Sequence, residues 1–141
     1  MKKILIIGSG WEQFALIKTI KEAGHSLIMT HPTLQAEGFK LADHFYVKDS
    51  RDIASHIRIG EIHKIDAVIT DNCDYSFFTA SVVASKLGLP FANIQSAIFS
   101  NDKFAQRKQC QSSGIIQPDF RKVQTLSELH SAAEELGFPL I

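Results

Sequence analysis

Several residues and patterns that mark common protein classes are scarce or missing in this sequence. It contains two cysteines, Cys73 and Cys110, and neither has a second cysteine or a histidine at zinc-ligand spacing, so no zinc site is indicated. The aliphatic run near the start, residues 4–7, is too short for a signal peptide or a membrane span. Fifteen basic residues balance fifteen acidic ones, which argues against nucleic acid or an anionic membrane as a partner. These absences favour a cytoplasmic protein with reduced thiols.

The remaining composition suits a folded domain. Of the 141 residues 45% are hydrophobic, which is enough for one domain, or for one domain and part of the next. Apolar runs alternate with stretches of helical spacing up to about residue 95, and this predicts an α/β fold with an open parallel sheet and helices on both faces. The predicted strands are residues 4–7, 26–30, 44–47, 65–70 and 89–92; the predicted helices are residues 11–23, a segment capped by Asp49 or Ser50 that runs to about 64, and residues 74–87.

The segment from residue 96 onwards has a different pattern. Its spacing predicts a helix over 98–113, a strand over 118–123 and a helix opened by Ser127 and Glu128. Residues 138–141 would begin an apolar strand, and a finished domain rarely closes on such a strand because its unpaired backbone invites aggregation. We therefore expect two domains, residues 1–95 and 96–141, the second one truncated and belonging to a longer protein.

A glycine-rich turn follows the first predicted strand. Gly8-Ser9-Gly10 places backbone N–H groups at the carboxyl edge of the sheet, where an anion could bind. A dinucleotide site is disfavoured, because Gln13 replaces the third glycine of that fingerprint and Thr30-His31 replaces the acid that would bind the ribose. The alternative is that the glycines only make a tight turn between strand and helix.

A polar cluster follows the fourth predicted strand at the same edge. Asp71, Asn72, Cys73 and Asp74 should face the crevice in which open α/β sheets bind ligands. A structural explanation has about equal weight, with Asp74 as a helix cap and Asp71 as a turn former. Cys73 is not favoured as a nucleophile, since no histidine lies near it in the sequence.

The order and spacing of several motifs resemble a known family. The sequence resembles the N-terminal part of ATP-grasp ligases, in the branch that contains carbamoyl-phosphate synthase large subunits, biotin carboxylases and phosphoribosylamine–glycine ligases. The resemblance covers essentially the whole chain and depends on the following segments: Ile6-Ile7-Gly8-Ser9-Gly10-Trp11-Glu12-Gln13, Phe39-Lys40-Leu41-Ala42-Asp43, Lys86-Leu87-Gly88-Leu89-Pro90, Asn101-Asp102-Lys103, and Leu136-Gly137-Phe138-Pro139-Leu140-Ile141.

The resemblance implies a division into domains and a chemistry. Residues 1–95 would form a Rossmann-like pre-ATP-grasp domain, and residues 96–141 would begin the nucleotide-binding domain. The complete enzyme would use ATP and Mg²⁺ to join a small-molecule carboxylate to an amine through an acyl phosphate. The resemblance also allows a homodimer formed through the first domain.

The resemblance also implies site residues. Lys103 matches the first ATP-phosphate lysine of the family; its alternative is a solvated lysine beside Arg107 and Lys108. No catalytic residue and no metal ligand are assigned. Trp11 departs from the small or polar residues common at its position, and core packing is the preferred explanation for it. The candidates for substrate binding are Gly8, Gly10, Glu12, Gln13, Asp71 and Asp74.

The sequence is therefore consistent with two functions. The first is an N-terminal fragment of an ATP-dependent carboxylate–amine (or similar) ligase, inactive as an isolated fragment. The second is a free-standing α/β module that binds a small anion or a nucleotide through the Gly8–Gly10 turn without catalysis.

Overall fold

The computed structural model describes residues 1–141. The chain packs as two units, Met1–Asn101 and Asp102–Ile141. The expected domain change lay near residue 95; the units divide after residue 101, because the helix at Ile94–Asn101 packs against the preceding helix Asp74–Leu87 and buries Ala97.

The first unit is built on a parallel sheet of four strands in the order β3-β2-β1-β4. The strands are β1 (Lys3–Ile7), β2 (Ser26–His31), β3 (His44–Val47) and β4 (Ala67–Thr70). Ile7 at the end of β1 pairs with Thr30 on one side and Thr70 on the other, so three strands finish at the same level. The chain therefore leaves these strands at one common edge, which is where ligands of open sheets bind.

Helices cover both faces of this sheet, as the sequence predicts. Helix α1 (Phe14–Glu22) follows a short 3-10 turn at Trp11–Gln13 and lies on one face; α2 (Ile53–His63) and α3 (Asp74–Leu87) lie on the other. Successive residues of β1 point to opposite faces, which gives each face its own core. One core contains Leu5, Ile7, Ile28, Ile59, Val68 and Val83; the other contains Ile4, Ile6, Ile17, Leu27, Met29 and Phe39.

Two details of the first unit differ from the expectation. Helix α2 is capped by Asp52, whose side chain accepts a hydrogen bond from Ser55 N, so the assignment of the cap to Asp49 or Ser50 is wrong. The predicted fifth strand at residues 89–92 does not form, although Leu89 and Phe91 do pack against the core. This segment contains Pro90, which has no N–H to donate to a neighbouring strand.

The helix Ile94–Asn101 of the first unit is α4, and the second unit contains α5 (Lys103–Ser112) and α6 (Leu126–Leu136). The predicted helix over 98–113 is two helices, because Asp102 is extended and caps α5 by accepting from Phe104 N and Ala105 N. The cap of α6 is Thr125 rather than Ser127, and Glu128 completes a capping box. No strand forms over 118–123 or 138–141.

No helix of the chain is long and apolar enough to cross a membrane.

Candidate functional site

A cavity of about 270 Å³ lies at the carboxyl edge of the sheet in the first unit. Every strand contributes to it, since the residues that line it come from the ends of β1 to β4 and from the start of α3. Strand order reverses between β1 and β4, so the cavity adjoins the topological switch point where open sheets bind ligands. Side chains or backbone around its wall include Gly8, Glu12, Gln13, His31, Lys48 and Cys73.

Gln13 joins the loops that follow β1 and β4. Its side-chain Nε2 donates to the carbonyl of Asp71 at 3.0 Å, and its Oε1 accepts from Gly10 N at 2.9 Å. The residue is only 6% exposed. Asn72 adds a second, longer link at 3.4 Å to the carbonyl of Glu12. The side chain that disfavours a dinucleotide site therefore holds the switch point together.

The glycine turn has few amides left for an anion. Gly8 adopts a φ of +103°, which glycine tolerates, and its N–H donates to the carbonyl of Thr30 at 3.0 Å. The N–H of Gly10 is bonded to Gln13. Two of the three N–H groups on which anion binding by this turn would depend are thus satisfied within the protein. Further donors to an anion in this cavity would have to come from side chains.

Two side chains that the sequence analysis did not select supply donors to the cavity. His31 is the last residue of β2 and Lys48 follows β3 directly, and both are half-buried in the cavity wall. The ammonium of Lys48 lies 3.7 Å from the carboxylate of Asp52, farther than a good hydrogen bond. Both residues could have been predicted from their position, because each lies at the carboxyl end of a strand and the two strands are parallel neighbours.

A buried histidine supports the cavity from beneath. His56 on α2 is fully buried, its Nδ1 lies 2.7 Å from the carbonyl of Asp52, and its Nε2 lies 2.9 Å from the hydroxyl of Thr30. Burial lowers the pKa of His56, so the neutral ring is favoured. A carbonyl can only accept, so the neutral ring carries its proton on Nδ1 and Thr30 donates to Nε2.

A second cavity of about 330 Å³ lies beside the loop after β4. Asp71 and Asp74 line it together with Cys73, which also borders the first cavity. Cys73, not Asp74, is the residue that precedes α3, so the interpretation of Asp74 as the cap is wrong. Burial opposes ionisation of the Cys73 thiol, but hydrogen bonds from Ser76 and Tyr75 outweigh it and lower its pKa.

Trp11 lies outside both cavities. Its side chain is 74% exposed, so the preferred explanation of core packing is wrong. The 3-10 turn that it begins directs the indole into solvent, while the buried side chain of the same turn is Gln13. Nothing in the structure explains why a large aromatic residue occupies this position.

Lys103 lies in the second unit, at the first turn of α5. It lines a groove of about 700 Å³ whose walls are largely apolar and whose cations include Arg107 and Lys122. Phe104 and Phe120 meet edge to face in this groove, with ring centroids 5.7 Å apart. Neither Lys103 nor Arg107 forms an ion pair, so both charges are available to an anionic ligand.

The structure separates the predicted site residues into three places. Gly8, Glu12 and Gln13 line the first cavity, with Gly10 in the adjoining turn. Asp71 and Asp74 line the second cavity, and Asp71 contacts the first set only through its carbonyl. Lys103 belongs to the second unit.

No protein-family model matches the sequence. Over 158 aligned residues the chain is 29% identical to the carbamoyl phosphate synthase large chain of Thermus thermophilus, which covers 99% of this chain and 15% of that protein. Over 149 residues it is 27% identical to the formate-dependent phosphoribosylglycinamide formyltransferase of Bacteroides thetaiotaomicron, covering 100% of this chain and 37% of that protein.

The fold of the chain is also similar to that of a solved structure. The fold is similar to that of phosphoribosylglycinamide synthetase from Anaerococcus prevotii, with a TM-score of 0.79, 25% identity, and coverage of 98% of this chain and 35% of that one. The chain therefore spans less than two fifths of the length of each of these three proteins. Sequence and fold point to the same group of enzymes.

Proposed function

We propose that this chain, which is related over its whole length to the N-terminal part of ATP-grasp ligases, serves as the acceptor-substrate part of such an enzyme. The observation that carries the proposal is the cavity at the switch point of the sheet, which the ends of all four strands form together. In this assignment Gly8, Gly10, Glu12 and Gln13 shape the substrate site, and Asp71 and Asp74 border it.

The second unit is proposed as the first part of the nucleotide-binding domain. Lys103 and Arg107 are unpaired cations four residues apart on α5, and they fit the charge of a phosphate chain. No group of three or more His, Cys, Asp or Glu side chains in this chain could hold a metal ion by itself. Magnesium at an ATP site is usually held by one or two carboxylates together with the phosphates and water, and the acids proposed for it here come from elsewhere in the enzyme.

The proposed reaction joins a carboxylate to an amine. A carboxylate oxygen attacks the terminal phosphorus of ATP and releases ADP; the amine then attacks the acyl carbon of the resulting acyl phosphate, and inorganic phosphate leaves. Positive side chains stabilise the charge that develops on the transferring phosphoryl group, which is the part proposed for Lys103. The substrates are small molecules, the location is the cytoplasm, and the resemblance allows a homodimer formed through the first unit.

The proposal is tested on the complete protein with Lys103→Ala, measuring ADP release against ATP concentration with a panel of carboxylates and amines. We expect a higher KM for ATP, a lower kcat, or both. Lys108→Ala is the matched control, because Lys108 lies on the same helix and contacts the rings of Phe104 and Phe120. Unchanged kinetics of Lys103→Ala would remove Lys103 from the ATP site.

The free-standing anion-binding module remains the second candidate, because His31 and Lys48 give the cavity cationic or donor groups of its own. Calorimetry on residues 1–141 with phosphate- and carboxylate-bearing metabolites separates the two functions. The ligase fragment is expected to hydrolyse no ATP and to bind these ligands weakly. Tight binding by these residues alone would favour the module.

A further inference from the structure

The ring of His31 is held in one orientation by its neighbours. Its Nδ1 lies 3.2 Å from the backbone N of Thr33 and 3.0 Å from the hydroxyl of the same residue. On the other side the ring meets Phe39 at a right angle, with centroids 6.3 Å apart, and Phe39 is itself buried. The imidazole therefore enters the cavity with its direction already set.

Three atoms of Thr33 surround Nδ1 of His31: the hydroxyl at 3.0 Å, the backbone N at 3.2 Å and the carbonyl O at 3.3 Å. The backbone N–H can only donate and the carbonyl can only accept, so the two shorter contacts favour a lone pair on Nδ1 over a hydrogen directed at the carbonyl. In that form the neutral ring carries its hydrogen on Nε2. A methyl group built on Gly10 would lie 3.6 Å from that Nε2, which places the donor beside the glycine turn.

Two side-chain donors at the ends of neighbouring strands remain available to an anion. The N–H groups of Gly8 and Gly10 are already bonded, so His31 and Lys48 are the donors left to the wall at the ends of β2 and β3. Glu12 is the one acid in the lining, and a methyl group built on Gly10 would lie 2.5 Å from its Oε2, so an anion that binds Nε2 of His31 has to displace this carboxylate. An acid after β2 would accept from ribose hydroxyls, whereas an imidazole N–H at that place is complementary to an oxyanion.

We propose that His31 is the specificity-determining donor of this cavity, and that its Nε2–H binds an oxygen of a carboxylate or phosphate group on the acceptor substrate. Lys48 supplies a positive charge to balance the anion, and its flexible side chain does not fix the direction of the contact. The inference rests on the proposed function, since it assumes that this cavity receives the acceptor. It adds the chemical group of the acceptor that binds in this cavity and the residue that recognises it.

The first measurement is the protonation state of the ring. Nitrogen-15 NMR of the 141-residue chain with labelled histidine distinguishes the two neutral forms of His31 through its long-range couplings. We expect the hydrogen on Nε2. A hydrogen on Nδ1 would place the lone pair towards the cavity and overturn the proposal.

The second measurement is the affinity for two probes, inorganic phosphate and acetate, followed by chemical-shift titration. His31→Phe keeps an aromatic ring against Phe39 and removes the donor; His31→Gln replaces the donor with an amide N–H at a similar reach. Hydrogen bonds to charged groups contribute about 1.5–3 kcal/mol, so we expect His31→Phe to bind the preferred probe about tenfold or more weakly and His31→Gln to recover most of that loss. Whichever probe the wild type prefers identifies a phosphate or a carboxylate as the natural group.

The outcomes separate this inference from the proposed function. If wild type and both variants bind the probes equally, the role of His31 is overturned while the cavity remains a substrate site. If wild type binds neither probe, the assignment of the cavity falls and the inference falls with it. Amide spectra of each variant, compared with wild type, show whether a lost affinity comes from a lost fold.

Discussion

At the scale of single residues, Gln13 shapes the switch point of the sheet. A dinucleotide fold needs glycine at this position so that helix and strand can approach closely. Here the side chain fills that space, and a Cβ built on Gly8 would lie 3.4 Å from the amide carbon of Gln13. The same amide group links the loops after β1 and β4. One substitution relative to the dinucleotide pattern therefore fills the space beside Gly8 and links two loops that border the cavity.

Removal of this link has a measurable effect. Gln13→Ala leaves the carbonyl of Asp71 and the N–H of Gly10 without their partners, and buried unpaired groups cost about 1–3 kcal/mol. We expect the urea midpoint to fall and the Gly10 amide to exchange faster with solvent. Glu12→Gln is the control, because the neighbouring Glu12 side chain is exposed. Equal exchange rates in wild type and Gln13→Ala would show that the loops do not depend on this bridge.

The sequence predicted the place of the cavity better than its chemistry. Gly8 and the polar loop after β4 were found because glycine turns and polar residues after apolar runs mark strand ends. His31 and Lys48 were not, since a histidine or lysine after a short strand has no distinctive spacing. Their place at one cavity depends on which strands are neighbours, and the order β3-β2-β1-β4 is a property of the folded sheet.

At the scale of elements, the sequence predicted the strands and helices whose apolar residues pack against one face of the core. The four strands and α1 to α3 were predicted because apolar residues repeat with the period of the structure that they form. The predictions of secondary structure were wrong where a proline or a helix-capping residue interrupts an apolar run. Asp102 ends one helix and begins the next, and Pro90, Pro118 and Pro139 accompany segments that were expected to be strands and are not.

The 3-10 turn at Glu37–Leu41 supports the glycine turn from below. The N–H of Gly38 donates to the carbonyl of Ser9 at 2.9 Å. A Cβ built on Gly38 would lie 2.9 Å from that same carbonyl oxygen and 2.6 Å from Cδ1 of Ile17. The backbone oxygen of Ser9 cannot move away from a new Cβ as easily as the end of a flexible side chain can. Gly38 is therefore required by close approach and not by an unusual φ.

Gly38→Ala is expected to destabilise the first unit by about 1–3 kcal/mol, the usual cost of overpacking. Gly60→Ala is the matched control: its Cβ would meet only the ends of Leu87 and Ile65, at 2.6 and 3.1 Å, and alanine favours a helix by about 1 kcal/mol over glycine. We expect Gly60→Ala to cost less than Gly38→Ala in urea unfolding, and only Gly38→Ala to shift the amide signals of the glycine turn. The reverse order would show that the turn moves freely over its support.

At the scale of the whole molecule, the buried residues belong to the first unit. No residue from Asp102 to Ile141 is fully buried, while both cores of the sheet lie within Met1–Asn101. Burial of apolar surface is the main favourable term in folding. Measurements of global stability on this chain therefore report mainly on the first unit and on the titratable groups within it.

Those groups predict two pH windows. The pKa of His56 is lowered by burial, so the unfolded chain binds the proton more readily, and stability should fall as pH drops below about 6.5. The pKa of Asp43 is lowered by its bonds with Lys21 and Leu27 N, so a second loss should begin below about pH 4. His63, whose pKa is also lowered by burial, adds to the first window.

The double variant Thr30→Val/His56→Leu isolates the first window. It removes both partners of one buried hydrogen bond, and the carbonyl of Asp52 keeps its bond from the backbone N of residue 56, so little stability is lost at neutral pH. Urea midpoints at pH 7.5 and 5.5 give the comparison. We expect a smaller decrease between these pH values in the double variant than in wild type, with only the part from His63 remaining. An equal decrease would mean that His56 titrates alike in the folded and unfolded chains, and the loss of stability would then have to come from the histidines at the surface.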